Sequence, residues 1–164
     1  MGGFFCSPRR TAVTGRAMAD RTSVRRVNMK SLGYHLILEL EGCPSAVLDD
    51  EKTVRRLMTR AVSDSGATMI QPFFHRFAPQ GVSGVVIISE SHFSIHTWPE
   101  YGYAAIDIFT CGDQIDMETA AETLRRGFRA ARLQKMLLTR GMLDLPDEMI
   151  RHKPEPALRC LPET

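Results

Sequence analysis

The 164-residue chain has no Cys-x-x-Cys pair, no large surplus of charge of either sign, and no apolar run near the ~20 residues that span a bilayer. Each absence removes a class. Four cysteines, Cys6, Cys43, Cys111 and Cys160, lie far apart, which argues against a zinc ribbon or a disulfide framework and favours a reducing cytoplasm. With 21 basic residues against 19 acidic ones the net charge is +2, and no basic stripe alternates with aromatics. Nucleic acid is therefore not an expected partner, and neither is a membrane. What is present is a 43% hydrophobic composition, enough for one compact domain with a sizeable core, flanked by tails.

Residues 1–28 differ from the rest. They carry Arg9, Arg10, Arg16, Arg21, Arg25 and Arg26 with Asp20 as the one acid, and show no hydrophobic period. No apolar stripe makes them a transit peptide, and Cys6 stands where myristoylation wants Ser or Thr. They read as a disordered extension or a start codon placed too early, with Met18 or Met29 as later candidates.

From there hydrophobic periodicity gives the order β-α-β-β-β-β-α-β. Gly33 to Glu41 alternates as a strand, with Leu36, Leu38 and Leu40 on one face and His35, Ile37 and Glu39 on the other. Asp49 or Asp50 caps a helix whose stripe is Val54, Leu57, Met58 and Ala61, ended by Ser65-Gly66. Strands follow over 68–77, 82–89, 92–98 and 103–110, with turns at Pro79-Gln80-Gly81 and at 99–102. Asp116 caps a second helix with the stripe Met117, Ala120, Ala121, Leu124, Phe128 and Ala131, and residues 135–139 form the sixth strand. Hairpin-linked strands with two helices predict an α+β two-layer sandwich, its mainly antiparallel sheet covered on one face. Residues 142–164, with four prolines, read as an irregular tail.

The densest run of uncommon residues is Ser89-Glu90-Ser91-His92-Phe93-Ser94-Ile95-His96-Thr97-Trp98-Pro99-Glu100-Tyr101-Gly102-Tyr103, continuing to Cys111-Gly112. With Gly81-Val82-Ser83-Gly84-Val85 before it, and Gly33-Tyr34-His35-Leu36 and Glu41-Gly42-Cys43 near the start, it resembles the self-cleaving core of prokaryotic S-adenosylmethionine decarboxylases. The resemblance spans about residues 32–141. It implies a decarboxylase domain over 29–141, cut between Glu90 and Ser91 into a β chain of 1–90 and an α chain of 91–164.

The chemistry implied is specific. Ser91 Oγ attacks the Glu90 carbonyl, the peptide becomes an ester, and loss of the Ser91 α-proton expels the Glu90 carboxylate, leaving residue 91 to become a covalent pyruvoyl cofactor. That ketone forms a Schiff base with the substrate amine and accepts electrons as CO2 leaves, giving the aminopropyl donor for spermidine. By the same resemblance His96 is the proton acceptor in processing, Ser83 assists it, and Cys111 is the proton donor in catalysis. Phe77 and Trp98 pack on the adenine or the sulfonium, Glu100 accepts from the ribose hydroxyls, and the chain pairs as a homodimer of cleaved protomers. No metal is called for: His92 and His96 have the i, i+4 spacing of a helical metal pair, but their strand-like neighbours put them on a strand instead.

Bland readings stand beside these. His92 reads as a structural or supporting residue, His35 and His75 as structural or at a subunit contact, and Cys43 as a small buried hydrophobe. Asp107, in an apolar strand, needs a partner the sequence does not name. Five residues separate Ser91 from His96, which puts them on opposite faces of a regular strand, so the uncut chain needs a turn at Glu90-Ser91. Two rival functions remain. One is a Cys111/His96 thiol hydrolase with Ser91 intact, the other an uncleaved regulatory paralogue.

Overall fold

Strand β1, Ser31–Glu41, is the spine of the sheet, because its alternation buries Leu36, Leu38 and Leu40 on one side and leaves His35, Ile37 and Glu39 on the other. This computed structural model describes residues 31–111, 114–146 and 149. The predicted extension over 1–28 and most of the predicted tail over 142–164 lie outside them.

The elements in order are β1, α1 (Ser45–Leu48), α2 (Glu51–Asp64), β2 (Met69–Arg76), β3 (Val82–Ile88), β4 (Ser91–Trp98), β5 (Tyr103–Thr110), α3 (Met117–Gly127) and β6 (Arg132–Met142). A single 3-10 turn, Pro99–Tyr101, links β4 to β5. The six strands form one sheet in the order β2-β3-β4-β5-β1-β6, with every neighbouring pair antiparallel. The α+β expectation holds.

Both long helices start where a side chain satisfies their free N–H groups. Asp50 accepts from the Thr53 N–H and Asp116 from the Thr119 N–H. Their buried faces, Val54, Leu57, Met58 and Ala61 on α2 and Ala120, Ala121 and Leu124 on α3, lie on the Leu36, Ile95 and Ile106 side of the sheet in one core. Fully burying each of the larger ones, Val54, Leu57, Met58 and Leu124, stabilises the fold by roughly 1.5–3 kcal/mol. Among the described residues no helix covers the other face.

Three expectations are corrected. Helix α1 escapes the periodicity because four residues are too short to show one. Ala131 leaves the α3 stripe, since the helix ends at Gly127 and Arg129 takes a positive φ of 54°, so Ala131 is exposed beyond it. Strand β6 runs from Arg132 to Met142 rather than over 135–139, because it pairs with β1 along nearly its whole length. Register overrides the charged and polar residues at its ends.

Candidate active site

The Glu90–Ser91 bond sits at the tip of the β3–β4 hairpin. Ile88 pairs with Ser91, leaving Ser89 and Glu90 as a turn, but β4 runs regularly from Ser91 through His96, so this turn does not bring the two onto one face. The turn is fixed by its hydrogen bonds. The Ser89 N–H donates to the Thr68 carbonyl at 2.9 Å, and the Thr68 N–H donates to Glu90 Oε2 at 3.3 Å. Partial burial pushes the Glu90 carboxyl up, but the bonds from Ser89 and Thr68 outweigh it and hold the group below its ordinary value.

The bond's carbonyl already has a donor. The Cys111 N–H lies 3.0 Å from the Glu90 oxygen, where an attacked carbonyl gathers negative charge. The Cys111 thiol is free and exposed. Thr110, one residue back, is paired across the sheet with Ser91, and its buried Oγ1 is the one fully buried side-chain polar atom among the described residues without a hydrogen-bond partner. Ser91 Oγ itself lies 3.2 Å from His92 Nδ1.

The keto group implied at residue 91 fits this surrounding. Thr110, paired with residue 91, has an unpartnered buried hydroxyl, Cys111 follows it with an exposed thiol, and the Glu90 carbonyl accepts from the Cys111 N–H.

A second group of predicted residues gathers at the other end of β4. Ser83 and His96 are cross-strand partners, with Ser83 Oγ 2.7 Å from His96 Nδ1. Trp98 packs 5.3 Å from Tyr103 and 6.3 Å from His96, ring centre to ring centre, and Phe77 stands edge-on to His75 at 4.8 Å. Tyr103 donates to Glu39, and burial reinforced by that carboxylate pushes its phenol up to about 12. Gln80 Nε2 holds Glu100 Oε2 at 2.8 Å. Two adjoining cavities open here, one of about 320 Å3 bounded by Phe73, His75, Phe77 and His96. The other, of about 260 Å3, is bounded by Phe77, Trp98, Glu100 and His96.

The structure therefore brings together Glu90, Ser91 and Cys111, and separately Ser83, His96, Phe77, Trp98 and Glu100. It does not join the two groups within one protomer. Five residues of strand separate Ser91 from His96, about 16 Å at ~3.3 Å per residue.

Between them lies a polar chain whose end the sequence left open. Asp107 accepts from Ser94 Oγ at 3.2 Å and meets His35 Nε2 at 3.1 Å, while Arg140 approaches His35 Nδ1 at 3.0 Å. His35 is thus the partner Asp107 needed. Cys43 is buried, and burial pushes its thiol up to about 11, so it is inert at neutral pH. A larger cavity of about 680 Å3 lies on the helical side between α2 and α3. Its Arg60, Asp64, Glu122 and Arg126 are already ion-paired, and no motif residue lines it.

Residues 34–141 match the family model described as S-adenosylmethionine decarboxylase. The chain is 52% identical over 116 residues to the S-adenosylmethionine decarboxylase proenzyme of Thermotoga petrophila, covering 71% of this chain and 89% of that one. It is 46% identical over 122 residues to the proenzyme of Syntrophomonas wolfei, covering 74% and 97%. An archaeal relative, the proenzyme of Methanococcus maripaludis, is 47% identical over 116 residues, covering 71% and 95%. The crystal structure of the adenosylmethionine decarboxylase from Aquifex aeolicus superposes with a TM-score of 0.65 at 35% identity, covering 70% of this chain and 95% of that one.

Proposed function

The chain belongs to the S-adenosylmethionine decarboxylase family, and on that premise we propose that it cuts itself between Glu90 and Ser91 and decarboxylates S-adenosylmethionine at the new end of the chain. The observation that carries this is the Cys111 N–H on the Glu90 carbonyl, at a turn next to the half-buried Ser91. A backbone donor there stabilises the oxyanion formed when Ser91 Oγ attacks. The pyruvoyl group so generated supplies a ketone that condenses with the substrate amine and draws off the electrons released with CO2.

The chain's own side chains supply the rest. Ser83 orients His96, which takes the α-proton of residue 91 during processing. The Cys111 thiol returns a proton to the substrate α-carbon. Trp98 and Phe77 face the sulfonium and the adenine, where an aromatic face attracts a cation without a countercharge. Glu100, steadied by Gln80, accepts from the ribose hydroxyls. A reducing cytoplasm keeps Cys111 a thiol.

His96 reaches Ser91 only if two protomers share the site. The helix-free face of the sheet exposes Phe73 at 66%, Met136 at 58% and Ile87 at 40%, an apolar surface that a second copy covers. A twofold axis between facing sheets, running across the strands, sets the Ser91 end of one β4 against the His96 end of the other. Each active site then takes Ser91 and Cys111 from one protomer and Ser83 and His96 from the second.

Intact mass under denaturing conditions tests the first half: two fragments are expected, breaking between Glu90 and Ser91, with the later one blocked at its N-terminus. Cyanoborohydride then traps S-adenosylmethionine on that fragment. A lasting full-length mass sinks the reading. Coexpression of Ser91→Ala with His96→Ala tests the sharing. Each is inactive alone, whereas the mixed dimer regains one working site; an inactive mixture refutes a shared site.

A further inference from the structure

We propose that His92 is the catalytic base that takes the Ser91 hydroxyl proton in self-cleavage, so that two histidines divide the processing between them. The inference rests on the self-cleavage reading above and adds a residue and a step to it.

Geometry comes first. Among the described residues the side-chain hydrogen bond of Ser91 Oγ is to His92 Nδ1, at 3.2 Å. His96 is engaged with Ser83 some five strand residues away. A serine hydroxyl attacks its own preceding carbonyl only when something accepts its proton. His92 stands at that oxygen, while the Cys111 N–H stands at the carbonyl to be attacked. Nucleophile and electrophile are thus each served before any second protomer is present.

The ring is also held in place and in the right charge state. Its neighbours are the apolar Ile87 across β3 and Phe109 across β5, whose ring centre lies 6.1 Å away. Beyond Phe109 stand His35 on β1 and Arg140 on β6, and Asp107 lies on β5. Glu90 precedes Ser91 on the turn. Burial lowers the His92 pKa below its ordinary 6.5, His35 lowers it further, and Asp107 opposes them. The imidazole is therefore neutral, with Nδ1 free to accept when its proton sits on Nε2.

The step balances. The Ser91 Oγ–Glu90 carbon bond forms, and the Oγ proton passes to His92 Nδ1. As the tetrahedral carbon collapses, the Glu90 carbon–Ser91 nitrogen bond breaks and the same proton goes to the departing nitrogen, giving an ester and a free amine. His96 acts afterwards, on the α-proton.

Freshly translated full-length chain is followed by mass between about pH 5 and pH 8, as wild type, His92→Ala, His92→Asn and His96→Ala. Wild-type cleavage is expected to fall off on the acid side with a midpoint below 6.5. His92→Ala is expected to slow by about 100-fold or more, to lose that acid limb and to regain rate in added imidazole. Its uncut chain should resist hydroxylamine, being still an amide, whereas His96→Ala should collect as a hydroxylamine-sensitive ester. His92→Asn keeps a hydrogen-bonding group beside Ser91 but no base, and should be as slow as His92→Ala while melting like the wild type.

A His92→Asn chain that cleaves at the wild-type rate overturns the proposal. So does a slow His92→Ala chain that keeps the acid limb, ignores imidazole or accumulates the ester. A wild-type chain that never cleaves removes the self-cleavage reading and this step with it, whereas the other failures remove this step alone.

Discussion

Cys111 offers two separate groups, an N–H on the Glu90 carbonyl and an exposed thiol, and the proposed reading gives each its own step. Substitution by serine changes only the second. Cys111→Ser is therefore expected to cleave normally, by intact mass, while kcat for CO2 release falls by about 100- to 10,000-fold. Loss of both activities together would refute this separation. Thr110 makes the opposite trade. A buried hydroxyl with no partner costs about 1–3 kcal/mol, and an apolar group of the same shape removes that cost. In a Ser91→Ala background, Thr110→Val should raise unfolding stability by about 1–3 kcal/mol in urea, and with Ser91 intact it should slow cleavage. Unchanged stability would mean that the hydroxyl has found a partner. At this scale the motif made Ser91, His96 and Cys111 legible, and strand alternation correctly warned that Ser91 and His96 cannot meet. It also hid His92. Successive strand residues point to opposite faces, yet at this strand end, next to the Ser89-Glu90 turn, the Ser91 hydroxyl lies 3.2 Å from its neighbour's ring.

Strand β3 depends on a missing side chain. A Cβ built on Gly84 would lie 2.0 Å from the Phe74 ring, which crosses it from β2. Gly84→Ala must displace that buried ring and should cost about 1–3 kcal/mol by urea unfolding. A neutral result would show that Phe74 has room to move, and with it the wall that carries Ser83 toward His96. Helix α3 offers a gentler test. Arg125 and Arg126 both bond Glu122, and together hold its carboxyl down to about 2 from an ordinary 4.5. A lowered folded pKa stabilises above the unfolded value and is lost as pH falls through the folded one, here from 4.5 toward 2. Glu122→Gln should thus melt slightly below wild type near neutrality and converge with it toward pH 2, a small effect because the group is exposed. Curves that stay parallel across that window would contradict it. Sequence periodicity located α2 and α3 through Asp116 and through Asp49 or Asp50, of which the structure uses Asp50, because such caps are local. It missed the ends of β6 because pairing with β1 is not local, and it carried Ala131 into a helix that Arg129 had already closed.

Among the described residues the sheet has one face covered by helices and one that is not. Helices α2 and α3 seal the Leu36, Ile95 and Ile106 side, while Phe73, Ile87, Trp98 and Met136 remain uncovered on the other. That asymmetry was legible in the alternation of β1, but a single chain cannot say what covers its open face. On the reading proposed above, the separation of Ser91 from His96 gives a second copy a function. Met136 stands on β6, away from both groups of site residues, so a charge there should block facing sheets without touching the chemistry. Met136→Lys places a charged group opposite apolar surface, which costs several kcal/mol unless it is paired. The variant is therefore expected to sediment as a folded monomer. It should still make the amide-to-ester step, since His92 and Cys111 belong to the same protomer as Ser91. The later α-proton step needs His96 from the second copy, so the ester should accumulate and yield to hydroxylamine. Wild-type chain, diluted before it matures, should show the same arrest and recover on concentration. A Met136→Lys monomer that completes cleavage at the wild-type rate would show that one protomer suffices, and His96 would then have to reach Ser91 by rearrangement of β4 itself.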